Sequence, residues 1–310
     1  MAGYLNVDVR VISKYFRTNF SYKRLGIMIT LLIFLRNVMN VKNNLFIADL
    51  ESALNINDET RDSFKKMAQY GQKPYGILFV TAHPDDETMF FMPTIRVLRE
   101  YIHGYDKLEP PIKIYLLVFT NGNYYGKGEQ REYCLAKICY SLGITEHVIH
   151  DPEIYDGIDE WPINRVANII KIFVRENNIK TFTFDRHGVS YHPNHSSVYR
   201  GVEIAVNDLP KFWTFNLKTV SLFRKYLSIF SLYLPIFMDR TAALYTSPLK
   251  IFELMIIYWS EFRIHIPFWC LFSSYSYSNS YDVYLTPDDK VQNSFWKKSD
   301  ADVNIETNDL

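Results

Sequence analysis

A cluster of polar residues interrupts an apolar segment in the stretch FVTAHPDDETMFF, residues 79–91. The histidine and the second aspartate, His83 and Asp86, lie three positions apart. Pro84 between them restricts the turn, so both side chains can face one point. A histidine nitrogen and a carboxylate oxygen are ligands that suit Zn²⁺ or another divalent metal of similar softness. The stretch therefore predicts part of a metal site.

A second polar segment, DRHGVSYHPNH at 185–195, offers three further histidines, His187, His192 and His195. Its HPNH sequence repeats the His-Pro-x-ligand spacing of the first stretch. Two ligands from the first stretch and one from the second would leave an open coordination position for water, as a catalytic metal needs. Spacing alone leaves open which of the three histidines is the third ligand.

Asp85 stands beside the predicted ligands without being needed by the metal. A carboxylate in that position can take a proton from a water whose pKa the metal has lowered. A protonated histidine from the second segment can then stabilise an oxyanion or donate a proton to the leaving group. These parts together predict hydrolysis of an acyl group. The alternative is that Asp85 only caps a helix that begins near Glu87.

The apolar patterning predicts the elements that must position these residues. Short runs rich in β-branched and aromatic residues, typical of strands, occur at 75–82, 112–119, 147–151 and 180–185. Helix-length segments lie between them at 87–103, 129–142 and 163–177. This alternation predicts an α/β fold with a Rossmann-like, mostly parallel sheet and helices on both faces. Ligands bind beyond the carboxyl ends of such strands, where HPDDE, TNGNYYGKGEQR and DRHGVSYHPNH all lie.

Apolar segments flank this predicted core on both sides. The run LGIMITLLIFL at 25–35 is shorter than the ~20 residues that a membrane-spanning helix needs. It is interpreted as a short membrane anchor, an uncleaved signal-like segment or a helix packed on the domain. A last core strand is predicted at 217–223. The segments at 226–238 and 251–275 are strongly apolar, but Pro235 and several charged residues interrupt them, which favours surface or core helices over membrane spans.

The chain is therefore predicted to have four parts. The first is an N-terminal extension at 1–70, which contains a candidate membrane anchor at about 25–40 and a linker, and the second is a catalytic core at 71–225. The third is an apolar helical part at 226–285, a candidate for membrane association. The fourth is a polar, disordered tail at 286–310. Residues 55–66, NINDETRDSFKK, are interpreted as a capped, solvated helix or part of the linker.

Composition narrows the class of partner. Lysine and arginine number 34 and so do aspartate and glutamate, which argues against a nucleic-acid binder with a large positive field and favours a small molecule or lipid. The three cysteines, Cys134, Cys139 and Cys270, form no CxxC pair. A disulfide framework and a cysteine zinc site are therefore not expected, and buried thiols in a reducing compartment are predicted.

The motifs together resemble those of a known family. AHPDDE after a strand, with HPNH opening a late helix, resembles the LmbE-like zinc deacetylases, which remove acetyl from N-acetylglucosaminyl compounds. AHPDDETMFFMPT, TNGNYYGKGEQR, SLGI and FTFDRHGVSYHPNH closely resemble the eukaryotic branch, the N-acetylglucosaminyl-phosphatidylinositol (GlcNAc-PI) de-N-acetylases, which perform the second step of GPI-anchor synthesis. The resemblance runs from about Tyr75 to Val220, and residues 1–70 show no clear match.

This resemblance assigns roles that spacing left open. Carried over by position, it implies His83, Asp86 and His195 as ligands of Zn²⁺ or another divalent metal. It also implies Asp85 as the general base and His192 as the residue that faces the oxyanion.

Four other positions bear on the substrate. The resemblance leaves His187 without a role. Arg131 is predicted to contact a phosphate or the sugar, with a solvated arginine at a helix start as the alternative. Tyr191 stands where the family usually has glycine, and it is expected to crowd the pocket or add a hydroxyl to it. Cys134 stands where the family usually has an acidic residue.

The implied enzyme is a zinc-dependent hydrolase that converts GlcNAc-PI to glucosaminyl-phosphatidylinositol and acetate. The resemblance also implies the endoplasmic reticulum membrane as its location, with the catalytic part facing the cytosol. Two alternatives stand beside this hypothesis. One is a soluble LmbE-like deacetylase of a small N-acetylglucosamine conjugate, and the other is a non-catalytic scaffold or binding protein that retains the fold.

Overall fold

The computed structural model describes residues 22–56, 75–103, 112–176, 179–207, 209, 212–245, 247–259 and 264–286. The predicted polar tail, apart from its first residue, lies outside these residues, as does most of the predicted linker. The division of the chain into four parts remains a prediction.

The described strands form one seven-stranded sheet in the order β3-β2-β1-β4-β5-β7-β6. In chain order they are β1 (Tyr75–Thr81), β2 (Ile112–Val118), β3 (Ile144–Val148), β4 (Ile179–Phe184), β5 (Trp213–Leu217), β6 (Ala242–Leu244) and β7 (Ser278–Leu285). Strands β1 to β5 are parallel, whereas β7 runs antiparallel to both β5 and β6. The predicted α/β class with a mostly parallel sheet is confirmed.

The helices of the described residues connect and cover these strands. They are α1 (Tyr22–Leu54), α2 (Asp86–Met89), α3 (Met92–His103), α4 (Gly128–Leu142), α5 (Ile163–Glu176), α6 (Gly188–Tyr191), α7 (Pro193–Asn207), α8 (Leu222–Lys225), α9 (Tyr233–Phe237), α10 (Pro248–Ile257) and α11 (His265–Phe272). Helices α4 and α5 confirm the segments predicted at 129–142 and 163–177.

The strand order places the site. The chain moves from β1 outward to β3 on one side and then returns to β4 and β5 on the other, so the order reverses between β1 and β4. A crevice opens at such a reversal, beyond the carboxyl ends of the two strands. Strand β1 is almost wholly apolar, whereas β4 carries Lys180, Thr181 and Thr183 among its apolar residues. Both strands are almost wholly buried because the sheet is covered on both faces. The two polar segments with candidate ligands follow β1 and β4 directly.

The helix predicted at 87–103 is two helices, α2 and α3. The first ends at Met89, with Phe90 as its C-terminal cap, and Pro93 lies in the first turn of the second. Proline lacks an amide hydrogen and is tolerated in a first turn, where that hydrogen would have no helical acceptor. A continuous helix would have placed Pro93 in its interior, so the break follows from this residue.

Two strand predictions were misplaced. The strand predicted at 147–151 is β3, which begins directly after the αL glycine that ends α4, Gly143. The strand predicted at 217–223 shares only its first residue with β5, and Ser221 instead accepts a hydrogen bond from the backbone of Arg224 at the start of α8.

The C-terminal part, predicted to be helical, contains two unpredicted strands. Strand β7 extends the sheet beyond β5, and its serine-rich beginning does not have the apolar alternation of a typical buried strand. Buried hydrogen bonds compensate for this. Asn279 accepts from both the backbone amide and the hydroxyl of Thr94, and its amide donates to the carbonyl of Phe90.

Helix α1 is much longer than the apolar run at 25–35, so the prediction of a segment too short to span a membrane is revised. By length and composition the helix at 24–54 could cross a membrane, and 6% of its most apolar window is buried. Its C-terminal half packs on the core through Phe46, Leu50 and Ala53. Its N-terminal half exposes apolar side chains to the surroundings.

Candidate metal centre

The structure brings together the three residues that the resemblance implied as ligands. His83, Asp86 and His195 are buried, and one candidate ligand atom from each lies within 4.8 Å of the others. His195 Nε2 is 3.3 Å from Asp86 Oδ1 and 3.4 Å from His83 Nδ1. His83 Nδ1 is 3.8 Å from Asp86 Oδ2. These atoms surround one point at the carboxyl ends of β1 and β4.

The carboxylate of Asp86 is oriented by the end of β1. Its Oδ2 atom accepts hydrogen bonds from the backbone amides of Ala82, at 3.0 Å, and His83, at 2.9 Å. The other oxygen, Oδ1, therefore faces His195. These bonds fold the turn back on itself and bring the two ends of the His-Pro-x-Asp sequence to the same side.

His195 is oriented by the loop after β4. Its Nδ1 atom donates to the carbonyl of Gly188 at 2.9 Å, and its ring stacks on Phe184 with a centroid distance of 4.2 Å. Gly188 has φ +59°, and a Cβ there would lie 2.6 Å from the Cβ of His195. Glycine is therefore required for this approach. The bond to Nδ1 leaves the lone pair of Nε2 directed at the metal position.

His83 is oriented by two residues that sequence reasoning missed. Its Nε2 atom lies 3.2 Å from Asp156 Oδ1 and 3.0 Å from Asn194 Oδ1. A carboxylate or amide oxygen on the far nitrogen of a histidine ligand fixes the tautomer and strengthens the ligand. Asp156 follows β3, whose carboxyl end lies at the same edge of the sheet. That position is the signal that could have identified it.

This donor set fits a divalent metal. With protons on His83 Nε2 and His195 Nδ1, the remaining lone pairs of the two rings face each other across 3.4 Å, beside a carboxylate oxygen. Such a set of lone pairs repels itself unless a cation lies between its members. Three protein ligands of nitrogen and oxygen type are also the usual number at a catalytic zinc.

The charges around the site favour a cation as well. Burial would raise the pKa of Asp86, but His195 and His83 beside it lower that pKa below its usual range, so the carboxylate stays ionised. Burial would lower the pKa of His83, but the hydrogen bond to Asp156 and the charge of Asp86 raise it instead. Carboxylates therefore dominate the local electrostatics.

Asp85 lies outside the group of candidate ligands and forms an ion pair with Arg131. Its Oδ2 atom accepts from Arg131 Nη2 at 2.9 Å. Burial raises the pKa of Asp85 above its usual range, although Arg131 acts in the opposite direction. Asp85 occupies the N-cap position of α2, but its side chain makes no capping hydrogen bond, so a cap of that kind is contradicted. Its role as general base remains a prediction.

Arg131 is buried, and its terminal nitrogens bind the loops around Asp85. It donates to the carbonyl oxygens of Pro84 at 2.7 Å and Gly122 at 3.0 Å. Gly122 has φ +72°, and a Cβ there would lie 2.4 Å from Arg131 Nη1. The alternative of a solvated arginine at a helix start is therefore wrong. Contact of Arg131 with the substrate remains a prediction.

The backbone of Asp85 is also bound by the side chain of Glu87, which is completely buried. Glu87 Oε2 accepts from the backbone amide of Asp85 at 3.0 Å, and Oε1 accepts from the hydroxyl of Tyr258 at 2.9 Å. Tyr258 directly follows α10 and is 171 positions away in the sequence. Sequence reasoning had no signal for this contact.

His192 is half-buried at the mouth of the site. Its ring centroid is 5.0 Å from those of both His83 and His195. Burial and the two neighbouring imidazoles lower the pKa of His192 to about 4, so the ring is neutral at pH 7. Its Nδ1 atom accepts from the backbone amide of Asn194, which leaves the proton on Nε2. The donor here is a neutral imidazole and not the protonated one expected from the sequence.

The remaining candidates lie outside the ligand group of the described residues. His187 Nε2 accepts from Arg186 Nε at 3.0 Å. Tyr191 is 72% exposed, and its ring lies 5.4 Å from that of His187, so it does not crowd the space among the ligands. Cys134 is a buried free thiol, as Cys139 and Cys270 are, which confirms the prediction of buried thiols.

Comparison with known proteins agrees with this geometry. The sequence model of one family, described as "GlcNAc-PI de-N-acetylase", matches residues 78–206. A "Probable N-acetylglucosaminyl-phosphatidylinositol de-N-acetylase" of Schizosaccharomyces pombe is 40% identical over 157 residues, covering 49% of this chain and 60% of that protein. The resemblance to the GlcNAc-PI de-N-acetylase family is thereby confirmed. The three candidate ligands, Asp85 and His192 all lie within the matched residues.

A second named GlcNAc-PI de-N-acetylase is also similar to this chain. The N-acetylglucosaminyl-phosphatidylinositol de-N-acetylase of Bos taurus is 38% identical over 173 residues, covering 53% of this chain and 65% of that protein. The matched part of the chain thus spans less than two thirds of either relative. The solved N,N'-diacetylchitobiose deacetylase from Pyrococcus horikoshii is 15% identical, with a TM-score of 0.46 over 67% of this chain and 83% of that chain.

Proposed function

We propose that the protein is a zinc-dependent hydrolase that removes the acetyl group from GlcNAc-PI to give glucosaminyl-phosphatidylinositol and acetate. The convergence of His83, Asp86 and His195 beside Asp85 is the observation that carries this proposal. The substrate is taken from the names of the relatives that match the same residues. This reaction is the second step of GPI-anchor biosynthesis.

His83, Asp86 and His195 would hold the metal, with Asp156 and Asn194 orienting the first of them. A bound divalent metal supplies Lewis-acid chemistry, which polarises the acetamide carbonyl and makes a water molecule more acidic. The remaining chemistry belongs to side chains around this group.

Asp85 is the general base of the proposed reaction. It takes the proton from the attacking water and can return it to the departing amine, so that acetate and the free amine leave with their protons balanced. A base works best when its pKa lies near the working pH, and burial moves the pKa of Asp85 in that direction. Arg131 and the backbone contact to Glu87 keep the carboxylate in one orientation.

His192 stabilises the charge that develops on the carbonyl oxygen. The proton on its Nε2 atom is available because Nδ1 accepts from the backbone of Asn194. A neutral imidazole can donate this hydrogen bond without adding a second positive charge beside the metal position.

The protein is also proposed to act at the endoplasmic reticulum membrane, with its site facing the cytosol. A lipid-linked substrate requires the site to lie near a bilayer. Helix α1 supports this placement because its apolar N-terminal half is exposed on a helix long enough to span one.

The decisive experiment measures acetate release from GlcNAc-PI by the full chain, with and without a chelator. Wild type is expected to release acetate, the chelator to abolish the release, and Asp85→Asn to lower it by about a hundredfold or more. Asp282→Asn is the matched control, because Asp282 is an exposed aspartate on β7. Release that persists in Asp85→Asn and in chelator would exclude the proposed mechanism.

The two alternatives give different results in the same assay. A preference for a water-soluble N-acetylglucosamine conjugate over GlcNAc-PI would favour the soluble deacetylase. A purified chain with neither bound metal nor acetate release would favour the scaffold.

A further inference from the structure

Exposed aromatic side chains gather on one part of the C-terminal region. We call this the aromatic surface and define it by six residues with exposures between 46% and 80%: Phe223, Phe230, Tyr233, Phe237, Phe268 and Phe272. Single exposed apolar residues are common on soluble proteins, but a group of large aromatic rings indicates an interaction site.

The segments that carry the aromatic surface are neighbours in space. Helices α8 and α11 and the turn at 228–232 all pack against the turn at 274–276, and α9 packs against the turn at 228–232. Hydrogen bonds tie them together, since Ser228 Oγ and Tyr277 Oη both donate to the carbonyl of Leu271. The segments that carry the exposed rings are therefore in contact with one another.

Helix α1 leaves the domain directly beside this surface. Met39 of α1 is buried with Leu232, and Leu35 and Ile236 pack against the same small cluster. Before Leu35 the side chains of α1 are largely exposed and apolar. A bilayer that takes up this part of α1 would therefore meet the aromatic surface where the helix emerges.

The aromatic surface is also connected to the candidate metal centre. The ring of Phe90 is 5.8 Å from that of His195 and 5.5 Å from that of Trp269. Trp269 is in turn 6.4 Å from Tyr226, which follows α8. Lys225 Nζ donates to the carbonyl of Val189, in the loop that orients His195. Trp269 is next to Phe268 of the aromatic surface on α11, so Phe90 and Trp269 connect that helix to a proposed ligand.

The chemistry of the surface favours a lipid over a protein as its occupant. Residues 222–238 and 264–272 contain no aspartate or glutamate. The cationic groups of Arg224 and Lys225 are turned to Asp239 and to the backbone of Val189. Phenylalanine and tyrosine side chains on segments that themselves carry no acidic residue are typical of the interface of a bilayer.

We propose that the aromatic surface inserts into the lipid interface and is a second membrane contact of this protein, separate from α1. This inference goes beyond the proposed function, which needs only a lipid-linked substrate. A second contact would fix the rotation of the domain about α1 and hold the candidate metal centre against the bilayer.

The test uses the full chain in phosphatidylcholine vesicles and needs no substrate, so its outcome is independent of the proposed chemistry. Phe230→Cys and Phe268→Cys are each labelled with an environment-sensitive fluorophore. The control is Tyr140→Cys, because Tyr140 is 89% exposed on α4, which packs against β3 at the opposite edge of the sheet. The native cysteines are buried, and unlabelled wild type measures their background.

Nitroxide-labelled phosphatidylcholine is expected to quench the fluorophore at 230 and at 268 about threefold more strongly than at 140. Iodide in the water should quench in the opposite order. Equal lipid quenching at all three positions would overturn the proposal. Protection of 230 and 268 from both quenchers would also overturn it, because a second copy of the chain or another protein would then cover the surface.

Discussion

Two loops with the same His-Pro-x-ligand spacing meet at the candidate metal centre, and they use it differently. In the first, both end residues, His83 and Asp86, belong to the ligand group. In the second, only the last residue, His195, belongs to it, while His192 stands half-buried at the mouth. Identical spacing therefore does not determine which side chains converge.

The difference arises from the element at which each loop lies. The first loop follows a strand. The carboxylate of Asp86 accepts hydrogen bonds from the backbone amides of Ala82 and His83, and these bonds fold the loop back on itself. The second loop begins a helix. His192 has an extended backbone before the first turn of α7, and its Nδ1 atom accepts from the amide of Asn194. A histidine that caps a helix in this way cannot direct the same nitrogen to a metal.

The third residues of the two loops differ in the same manner. Asp85 is partly exposed and paired with Arg131, which suits a group that must accept a proton. Asn194 is completely buried, and its side chain connects His83 to the carbonyl of Asp159. The first loop thus supplies Asp85, the proposed general base, and the second supplies Asn194, which supports His83, a candidate ligand of the first loop.

The largest expected effect separates the two histidines of the second loop. His195→Ala should lose stoichiometric zinc and all acetate release, because it removes one of three ligands. His192→Ala should keep its zinc and lower kcat by about a hundredfold to a thousandfold, as loss of an oxyanion donor does. Metal analysis after dialysis distinguishes the two variants. Loss of zinc from both would contradict the division of roles.

The third residues of the two loops, Asp85 and Asn194, are expected to differ in their effect on zinc affinity. Asn194→Ala removes an acceptor from Nε2 of His83, and zinc affinity should fall about tenfold to a hundredfold. Asp85→Asn should leave zinc affinity nearly unchanged because Asp85 is not a ligand. Competition with a chromophoric chelator measures both dissociation constants. A larger loss of affinity in Asp85→Asn than in Asn194→Ala would reverse the assignment.

Tyr258 supports only the first loop. Tyr258→Phe deprives the buried carboxylate of Glu87 of a donor and should lower the free energy of unfolding by about 1–3 kcal/mol. If Glu87 positions Asp85, kcat should fall while KM changes little. The matched control is Tyr281→Phe, whose buried hydroxyl contacts Thr94. It should lose stability without this change in kcat, and an equal loss of kcat in both variants would argue for a purely structural role.

The smallest effect concerns the backbone before the second loop. Tyr191 has φ +60°, a conformation that costs a residue with a Cβ roughly 1 kcal/mol. Tyr191→Gly should therefore stabilise the protein only slightly, by no more than about 0.5 kcal/mol, after a glycine entropy cost of about 0.5–1 kcal/mol is subtracted. Thermal unfolding of the full chain measures this. A clear destabilisation would show that the contact with His187 outweighs the strain.

Much of the fold and the ligand group could be predicted from the sequence because their signals are local. The runs of β1, β2 and β4 are rich in apolar and β-branched residues, and parallel strands place their carboxyl ends at one edge. Two polar segments that follow two such strands were therefore expected at the same edge of the sheet. Spacing still left three histidines as candidates, and only the family resemblance selected His195.

The tertiary structure decided what depends on contacts between distant segments. Asp156 and Tyr258 reach the site only because the strand order and the packing of α10 bring them there, and neither carries a local motif. Strand β7 is recognisable only as a partner of β5, because its polar residues are satisfied by hydrogen bonds such as that between Asn279 and Thr94. The sequence by itself determined which residues could bind a metal. The tertiary structure decided which residues orient them, because an orienting hydrogen bond depends on a distance and direction that local patterns do not encode.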